Sequence, residues 1–564
     1  MSTLKAALSF LLVISLLCSP ASAEEPSPPA TVGQACGTAE FKAGEILVKF
    51  REGASRAGIQ SALSAQGVMV LDEIHGLGIV RLSVPVGREL EKIEELERNP
   101  LVEYAEPNYI VYVPPSLNGL NYLDQRPIAR MQGLAGCTSV IPNDPYFPSQ
   151  WNLNQIQAPT AWCITTGSED VVIAIIDSGV DLDHPELEAK LWVKPGEIPD
   201  NGLDDDGNGY IDDVHGWDFV NWDNDPQDDY GHGTFVAGIA AAETDNGIGI
   251  AGFSWGAKIM PVKVIAPGVP GYAYYSDITS GICYAADNGA KIINMSFHSA
   301  AYSQALQAAV TYAHSKGCLL VAAAGDTGDD TYQYPASHAH VVSVAATGHD
   351  DEHWDLSTYN DRVDVAAPGV EILSFWEGGY GRMPSTRMAT PHVSGLAALI
   401  WSVNPTLTPD EVESIIESTA VDLGDPGRDD YFGHGRIDAN AAVRATPHYL
   451  QVSPTALLFL ADDNTDPLQQ VITNPGTSSS TWSATAGATP WLSISKPFGH
   501  TPSSITVSAD KSALPKHDVY TAPITVTSTM PNSENNPQII TATFSYVPQL
   551  YRAYLPLLFV GSVH

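Results

Sequence analysis

One acidic segment of the chain has the residue types and the spacing of a metal-binding loop. Residues 197–229 contain twelve acidic side chains and no Lys or Arg. Short carboxylates alternate there with Gly207 and Gly209, which allow the tight loop that a hard cation with about six or more oxygen ligands requires. The sequence therefore predicts a calcium site with these candidate ligands: Asp200, Asp204, Asp206, Asn208, Asp212 and Asp213.

Two alternatives to a single calcium ion stay open for this segment. It is not an EF-hand, because the twelfth position counted from Asp204 is His215 and supplies no bidentate Glu. A solvated acidic loop without an ion is one alternative. A second ion held by Asp223, Asp225 and Asp229 is the other.

Three further motifs place Asp and His at the ends of predicted elements. Asp177-Ser-Gly179 directly follows the apolar run 171–176, so Asp177 lies at the carboxyl end of a predicted buried strand, where sites gather in open α/β sheets. Gly231-His-Gly-Thr-Phe-Val-Ala-Gly238 opens a helix of small residues, and Met388-Ala-Thr-Pro-His-Val-Ser-Gly395 opens another.

The elements around these motifs predict a doubly wound α/β domain. Continuous apolar runs at 171–176, 258–265, 291–295 and 318–323 are typical of buried parallel strands, and helical stretches separate them. Alternation of this kind favours a parallel sheet with helices on both faces.

The flanking regions have different patterns. Before the central domain, residues 45–110 follow a β-α-β-β-α-β order, which predicts a small α+β domain of the split βαβ type. After residue 446 short strands recur between turns, which predicts an immunoglobulin-like β-sandwich with a binding or spacing role. The predicted strands are 456–460, 469–473, 491–495, 505–508, 522–527 and 539–546. The predicted division is signal peptide 1–23, leader and small α+β domain 24–142, central domain 143–445, β-sandwich 446–548 and tail 549–564.

Charge and the first residues indicate export. The chain has 65 Asp plus Glu against 27 Lys plus Arg, a formal net charge of −38, which argues against nucleic acid and anionic membranes as partners. Lys5, an apolar run over 6–18 and Ala21-Ser-Ala23 together predict a secretory signal peptide that is cut after Ala23. No later run approaches the roughly 18 apolar residues of a membrane span. We therefore expect a secreted, extracellular protein.

Five cysteines remain after the signal peptide, so at most two disulfides can form within one chain. The sequence does not fix their pairing. Burial as free thiols is the favoured interpretation for Cys283 and Cys318, and the other three are Cys36, Cys137 and Cys163.

In their order and context, the three motifs resemble the subtilase family of serine endopeptidases over about residues 143–445. The resemblance implies a subtilisin-like fold, calcium sites that add stability, and a triad in which His takes the nucleophile's proton and Asp orients the His. Asp177 and His232 match the family positions. Residues 45–110 resemble the propeptide, an inhibitory domain whose tail lies in the active site, and the distal segment resembles appended all-β modules.

The resemblance fails at the positions that carry the chemistry. The nucleophile should lie in Gly-Thr-Ser-Met-Ala-Thr-Pro-His, but this stretch begins Ser385-Thr-Arg387, and a guanidinium that stays protonated cannot attack a carbonyl. The oxyanion Asn is replaced by Asp326, whose charge repels the developing anion. The substrate-binding strand, which ends in a Gly pair in the family, has side chains at His298 and Ser299.

These changes predict a chain without peptidase activity. In subtilisin itself, loss of the nucleophile costs about 10⁶ in kcat and loss of the oxyanion Asn about 10²–10³. Ser385 is disfavoured as a substitute because, two residues away, it faces another direction. We expect Arg387 to pair with Asp326, with Asp177 as the second candidate partner and extension into solvent as the alternative.

The sequence thus favours a secreted, calcium-stabilised homologue with a binding or scaffolding role toward a peptide or protein. Without a nucleophile it cannot cut its own propeptide, which should stay attached as a partner. The alternative is an active calcium-dependent serine endopeptidase. An adhesion or glycan-binding role of the β-sandwich is compatible with the first of these functions.

Overall fold

A computed structural model describes residues 32–34, 39–114, 139–376, 378–474, 481–487, 489–500, 503–529 and 533–549. The predicted signal peptide, Cys36, Cys137 and the tail from residue 550 lie outside these ranges. No helix in the ranges combines the length and the apolar composition that crossing a bilayer requires.

The N-terminal elements form an antiparallel sheet with two helices. The strand order is β3-β4-β2-β5, with β1 paired to β2, and a compact core fills the space between sheet and helices. Ser55 caps α1 through the Gly58 N–H, and Gly67 ends it at φ 63°. The predicted split βαβ order is confirmed. The elements are β1 (Val32–Gln34), β2 (Glu40–Phe50), α1 (Arg56–Gln66), β3 (Met69–Ile74), β4 (Ile79–Ser83), α2 (Glu89–Glu97) and β5 (Val102–Val113).

The central region forms a seven-stranded parallel sheet in the order β13-β12-β11-β10-β6-β8-β7. Every residue of β6 is buried, as expected for a sheet covered on both faces. The seven strands are β6 (Val172–Asp177), β7 (Trp217–Asp218), β8 (Lys258–Lys263), β10 (Ile292–Met295), β11 (Leu319–Ala323), β12 (Val341–Thr347) and β13 (Val365–Pro368). The same region contributes β9 (Gly271–Tyr274), which pairs with β5 of the N-terminal sheet, and the hairpin β14 (Ile372–Trp376) and β15 (Gly379–Met383).

Helices cover both faces of this sheet, which confirms the doubly wound prediction. The central one, α8, is buried along its whole length. A capping box begins α9, with Thr408 and Glu411 bonded reciprocally. The helices are α3 (Trp151–Gln155), α4 (Ala158–Ala161), α5 (His232–Ala241), α6 (Tyr275–Asp287), α7 (Gln304–Ser315), α8 (Thr386–Val403), α9 (Pro409–Ser418) and α10 (Ala439–Ala445).

The strand order reverses around β6, whose neighbours are β8 on one side and β10 on the other. Loops diverge at such a switch point and leave a crevice at the carboxyl ends of the strands. Asp177 is the last residue of β6. The fold therefore places it where the sequence predicted, at the mouth of this crevice.

The C-terminal region is all β, as predicted. Two sheets, in the orders β16-β23-β22-β18-β20 and β17-β21-β19, enclose one apolar core. The sequence patterns missed β18 and β20. The strands are β16 (Ala456–Ala461), β17 (Gln470–Asn474), β18 (Thr481–Ala486), β19 (Leu492–Ile494), β20 (Phe498–His500), β21 (Ser503–Ala509), β22 (Asp518–Ser528) and β23 (Gln538–Tyr546).

The described cysteines follow the sequence-based interpretation. Cys283 and Cys318 are buried free thiols, and burial raises the pKa of both, that of Cys318 to about 12. Cys163 is disulfide-bonded.

Candidate active site

An acid–base pair of Asp177 and His232 lies in the crevice. His232 is the first residue of α5, and its Nδ1 lies 2.8 and 3.0 Å from the two carboxylate oxygens of Asp177. Both side chains are buried. A Cβ on Gly233 would lie 2.0 Å from the Gly179 carbonyl oxygen, so only glycine lets this helix approach the loop after β6. The carboxylate orients the imidazole and directs Nε2 into the crevice.

Arg387 occupies the first turn of α8 and is 6% exposed, so it does not extend into solvent. Its Nε donates to Asp326 Oδ2 at 3.2 Å and to Ser385 Oγ at 2.9 Å. Its Nη1 donates to the Pro114 carbonyl oxygen at 3.4 Å. The guanidinium is therefore fixed between Asp326 and the end of the N-terminal sheet, and Asp326 is the partner that the sequence favoured over Asp177.

Asp326 follows β11 and is held by several donors. Oδ1 accepts hydrogen bonds from the Thr386 N–H at 2.9 Å and the Thr386 hydroxyl at 2.8 Å, and Oδ2 accepts one from the Ser385 hydroxyl at 2.6 Å. His298 Nε2 lies 3.7 Å from Oδ2. Burial by itself would raise the pKa of Asp326, but His298 and the Arg387 charge outweigh it and hold that pKa well below its usual range. Asp326 is thus a carboxylate at any working pH.

No described hydroxyl group is bonded to the base. His232 Nε2 is buried and has no hydrogen-bond partner among the described residues. Ser385 is the N-cap of α8, and its Oγ accepts from the Arg387 N–H and donates to Asp326. The Ser385 hydroxyl therefore faces Asp326.

The last strand of the N-terminal sheet continues into the crevice. β5 pairs antiparallel with β9, in a register that places Ile110 opposite Tyr274 and Val113 opposite Gly271. The Tyr230 hydroxyl donates to the Val113 carbonyl oxygen at 2.7 Å. Pro114 comes next, with its carbonyl at Arg387. The strand thus lies along the crevice as an added β-strand and ends at Arg387.

Glu106 and Asn108 anchor this strand on two helix N-termini. Glu106 accepts from the Ser303 hydroxyl at 2.5 Å and from the Gln304 and Ala305 N–H groups at 2.8 and 3.0 Å, at the start of α7. Asn108 Oδ1 accepts the Ser276 N–H at 3.0 Å in the first turn of α6. A buried carboxylate at a helix N-terminus satisfies otherwise unpaired donors. Sequence patterns missed both roles, since nothing local marks them.

The acidic segment brings together only part of the predicted ligand set. Ligand oxygens of Asp204 and Asp206 lie within 4.8 Å of each other and of a Glu197 oxygen. Glu197 was not among the predicted ligands, although it begins the acidic run. Two buried oxygens nearby, Glu197 Oε2 and Asp213 Oδ1, have no hydrogen-bond partner among the described residues. Lys194 Nζ lies 2.8 Å from Asp206 Oδ2 and 4.0 Å from Asp213 Oδ2.

The other predicted ligands mainly shape the loop. Asp212 accepts the N–H groups of Asn201 and Gly202 at 3.0 and 2.9 Å, which engages both of its carboxylate oxygens. Asn208 donates to Asp213 at 2.9 Å. Asp200, at φ 58°, is exposed at the turn.

A lysine side chain already pairs with one ligand, Asp229, of the candidate second ion site. Lys263, at the end of β8, lies 3.0 Å from Asp229 and 3.4 Å from Asp218. Asp223 instead accepts the Asp225 N–H at 3.2 Å. The acidic run has no base of its own, but the fold supplies Lys194 and Lys263 from outside it.

The comparisons with known proteins agree with this architecture. A sequence profile described as the Subtilase family matches residues 168–435, and one described as the Fervidolysin N-terminal prodomain matches residues 27–108. "Thermophilic serine proteinase" of Bacillus sp. (strain AK1) is 35% identical over 422 residues, which is 74% of this chain and 92% of that protein. "Thermitase" of Thermoactinomyces vulgaris is 41% identical over 305 residues, 54% of this chain and 99% of that protein.

One solved structure extends the likeness to most of the chain. The crystal structure of fervidolysin from Fervidobacterium pennivorans aligns with a TM-score of 0.60 at 22% identity, over 91% of this chain and 77% of that one. At this identity the alignment shows a shared fold.

Proposed function

This chain belongs to the subtilase family, and we propose that it is a member without peptidase activity, whose former active site binds peptide main chain instead of cutting it. The observation that carries the proposal is the position of Arg387. Its side chain lies where the nucleophile belongs, is paired with Asp326 at 3.2 Å, and donates to a peptide carbonyl at 3.4 Å.

The chemistry of acyl transfer requires three groups, of which this site has one. The base is present, because Asp177 orients His232. The nucleophile is missing, since Arg387 has no group that can attack a carbonyl at ordinary pH. The oxyanion position is occupied by the Asp326 carboxylate, whose negative charge would oppose the charge that develops in the tetrahedral intermediate.

The N-terminal strand is the peptide that this site holds. Its strand pairing with β9, the anchors at Glu106 and Asn108, and the Arg387 contact to Pro114 support a propeptide that stays bound after folding. The residue after Pro114 in the sequence is Pro115, and a proline nitrogen has no hydrogen to donate to a neighbouring strand. We infer that residues 24 to about 142 remain attached unless another protease removes them.

Calcium is the ion that we assign to the acidic segment. Glu197, Asp204 and Asp206 offer converging oxygens, and Asp213 adds a buried oxygen without a partner, a donor set that suits a hard cation. When bound, the ion would neutralise these carboxylates and stabilise the loop. The Lys194 ammonium contacts the same groups, so it has to move away from Asp206 for the ion to bind.

Secretion and the domain division are part of the same proposal. Residues 1–23 have the pattern of a signal peptide, and one similar protein is named "Halolysin-like extracellular serine protease Nep", from Natrialba magadii. We infer a secreted protein with an inhibitor-like domain over 24–142, a subtilisin-like domain over 143–445 and a β-sandwich over 446–548. A binding or scaffolding role fits a central domain whose crevice holds a peptide strand and which is followed by a β-sandwich.

The alternative function, an active endopeptidase, has one observation in its favour. The Asp177–His232 pair keeps the geometry of a working base. This base has no described hydroxyl group to deprotonate, because the Ser385 hydroxyl donates its hydrogen bond to Asp326.

A labelling experiment separates the two functions. The secreted chain, intact and after limited proteolysis of its N-terminal region, is treated with a fluorophosphonate probe and assayed on casein. We expect no labelling of the natural chain, and labelling of the R387S/D326N double variant once the strand has been removed.

The control is R387S/D326N/H232A, which should lose the label because it lacks the base. Labelling or casein cleavage by the natural chain would refute the proposal. A propeptide missing from natural protein produced in a host free of other proteases would refute the retention of residues 24–142.

A further inference from the structure

Two histidines and an aspartate from three separate elements meet on the surface of the central region. His314 lies in the last turn of α7, at the opposite end of that helix from Glu106. Asp410 lies in the first turn of α9, and His340 directly precedes β12. Neither the sequence patterns nor the proposed function uses these residues.

The three side chains are close enough to share an ion. His314 Nε2 lies 2.7 Å from Asp410 Oδ1, and the His314 and His340 rings stack with centroids 4.2 Å apart at an interplanar angle of 20°. One ligand atom from each residue lies within 4.8 Å of the other two. His340 and Asp410 are exposed, whereas His314 is half-buried.

The local stability of the two helices explains only part of this arrangement. A histidine at the end of one helix and an aspartate at the start of another both complement helix dipoles, and their mutual hydrogen bond follows. His340 has no such role. It is exposed and adopts φ 69°, a conformation for which glycine or asparagine would be the usual residue.

The donor set selects the class of metal. Two imidazole nitrogens and one carboxylate oxygen suit Zn²⁺, whereas Ca²⁺ and Mg²⁺ prefer oxygen ligands alone. Zinc lies about 2.0–2.2 Å from such ligands, so a tetrahedral site needs ligand atoms about 3.3–3.5 Å apart. The His314–Asp410 pair, now 2.7 Å apart, has to separate slightly, and the other ligand atoms, within 4.8 Å, have to approach by up to about 1.5 Å. Rotations of the exposed His340 and Asp410 side chains allow both movements.

We propose that His314, His340 and Asp410 form a zinc-binding site. The ion takes two imidazole nitrogens and one carboxylate oxygen, and water completes the tetrahedron. Bound zinc links the end of α7, the start of α9 and the start of β12, so it stabilises the folded central region. The proposal is independent of peptidase activity and of the calcium loop.

The test measures zinc binding to the full secreted chain in excess calcium, which occupies the acidic segment. Isothermal titration and thermal unfolding are compared for the natural chain, H340N, D410N and H517N. Asparagine tolerates the left-handed backbone of His340, so H340N removes a ligand with little strain.

His517 is the matched control. Its Nε2 lies 2.7 Å from Asp463 Oδ1, the same separation as in the His314–Asp410 pair, but that pair is not part of a described three-residue group of possible metal ligands. A histidine–aspartate pair alone should not hold zinc tightly.

We expect one zinc equivalent in the natural chain and in H517N, and affinity lower by about tenfold or more in H340N and D410N. Zinc should raise the unfolding temperature of the natural chain and H517N only. X-ray absorption should show two imidazole ligands.

Equal zinc binding by the natural chain and H340N would overturn the proposal, as would no zinc binding by the natural chain. Unfolding in EDTA confirms that the variants fold, and a misfolded H340N leaves D410N as the deciding variant.

Discussion

The pairing of Arg387 with Asp326 gives the sharpest prediction. Replacing Asp326 alone is expected to lower the free energy of unfolding more than replacing both residues. In D326N, an amide NH₂ replaces one of the two carboxylate oxygens, and the negative charge that balances Arg387 disappears. Arg387 is only 6% exposed, so its guanidinium would remain buried and unpaired. Breaking a buried ion pair from one side costs about 3–5 kcal/mol of unfolding free energy.

The R387S variant should lose less free energy of unfolding than D326N. Asp326 keeps the donors on Thr386 and Ser385 and loses one charge-assisted hydrogen bond, worth about 1.5–3 kcal/mol. The R387S/D326N double variant has neither charge, so we expect it to be more stable than D326N alone. The coupling free energy between the two positions should be about 2 kcal/mol or more.

The assay is urea-induced unfolding followed by tryptophan fluorescence, with unfolding rates used where refolding is incomplete. Asp351 and Arg436 provide a matched control, since they form another ion pair with an almost buried arginine. R387S and D351N should be additive within about 0.5 kcal/mol. A D326N variant that loses less than about 1 kcal/mol, or a double variant as unstable as the sum of the singles, would refute the pairing.

Three further predictions test other contacts. In E106Q, loss of the charge at the start of α7 should cost about 2–3 kcal/mol of unfolding free energy and speed amide exchange in β5 by about 30-fold or more. E103Q on the same strand should change little, because Glu103 is exposed. In K194M, removal of a competing cation should raise calcium affinity by about tenfold, and unchanged affinity would contradict the assigned ligands. Burial lowers the pKa of His338 to about 4, so the unfolded chain binds its proton first and stability should fall as pH drops from about 6.5 to 4. H338F should weaken this dependence in urea midpoints, although His392, whose pKa burial also lowers to about 4, keeps part of it. The exposed-site variant H349F should retain the dependence in full.

Much of the fold could be predicted because its signals are local. The buried run that ends at Asp177, the helix opened by His232 and the Thr408–Glu411 capping box are each encoded within a few residues. β18 and β20 were missed because the apolar positions of β18 after Trp482 are only alanines and β20 is only three residues long.

The sequence by itself determined the family, the layers of the fold and the residue type at each position in the candidate active site. Arg387 has no group that can attack a carbonyl whatever the packing, because a guanidinium stays protonated at any ordinary pH.

Only the tertiary structure decided which groups meet. Arg387 and Asp326 are 61 residues apart in the chain, and Glu106 and Ser303 are 197 apart. Lys194 and Lys263 meet the acidic run although neither belongs to it. Such contacts depend on how strands and helices pack, and hydrophobic periodicity does not specify which polar side chains then face each other.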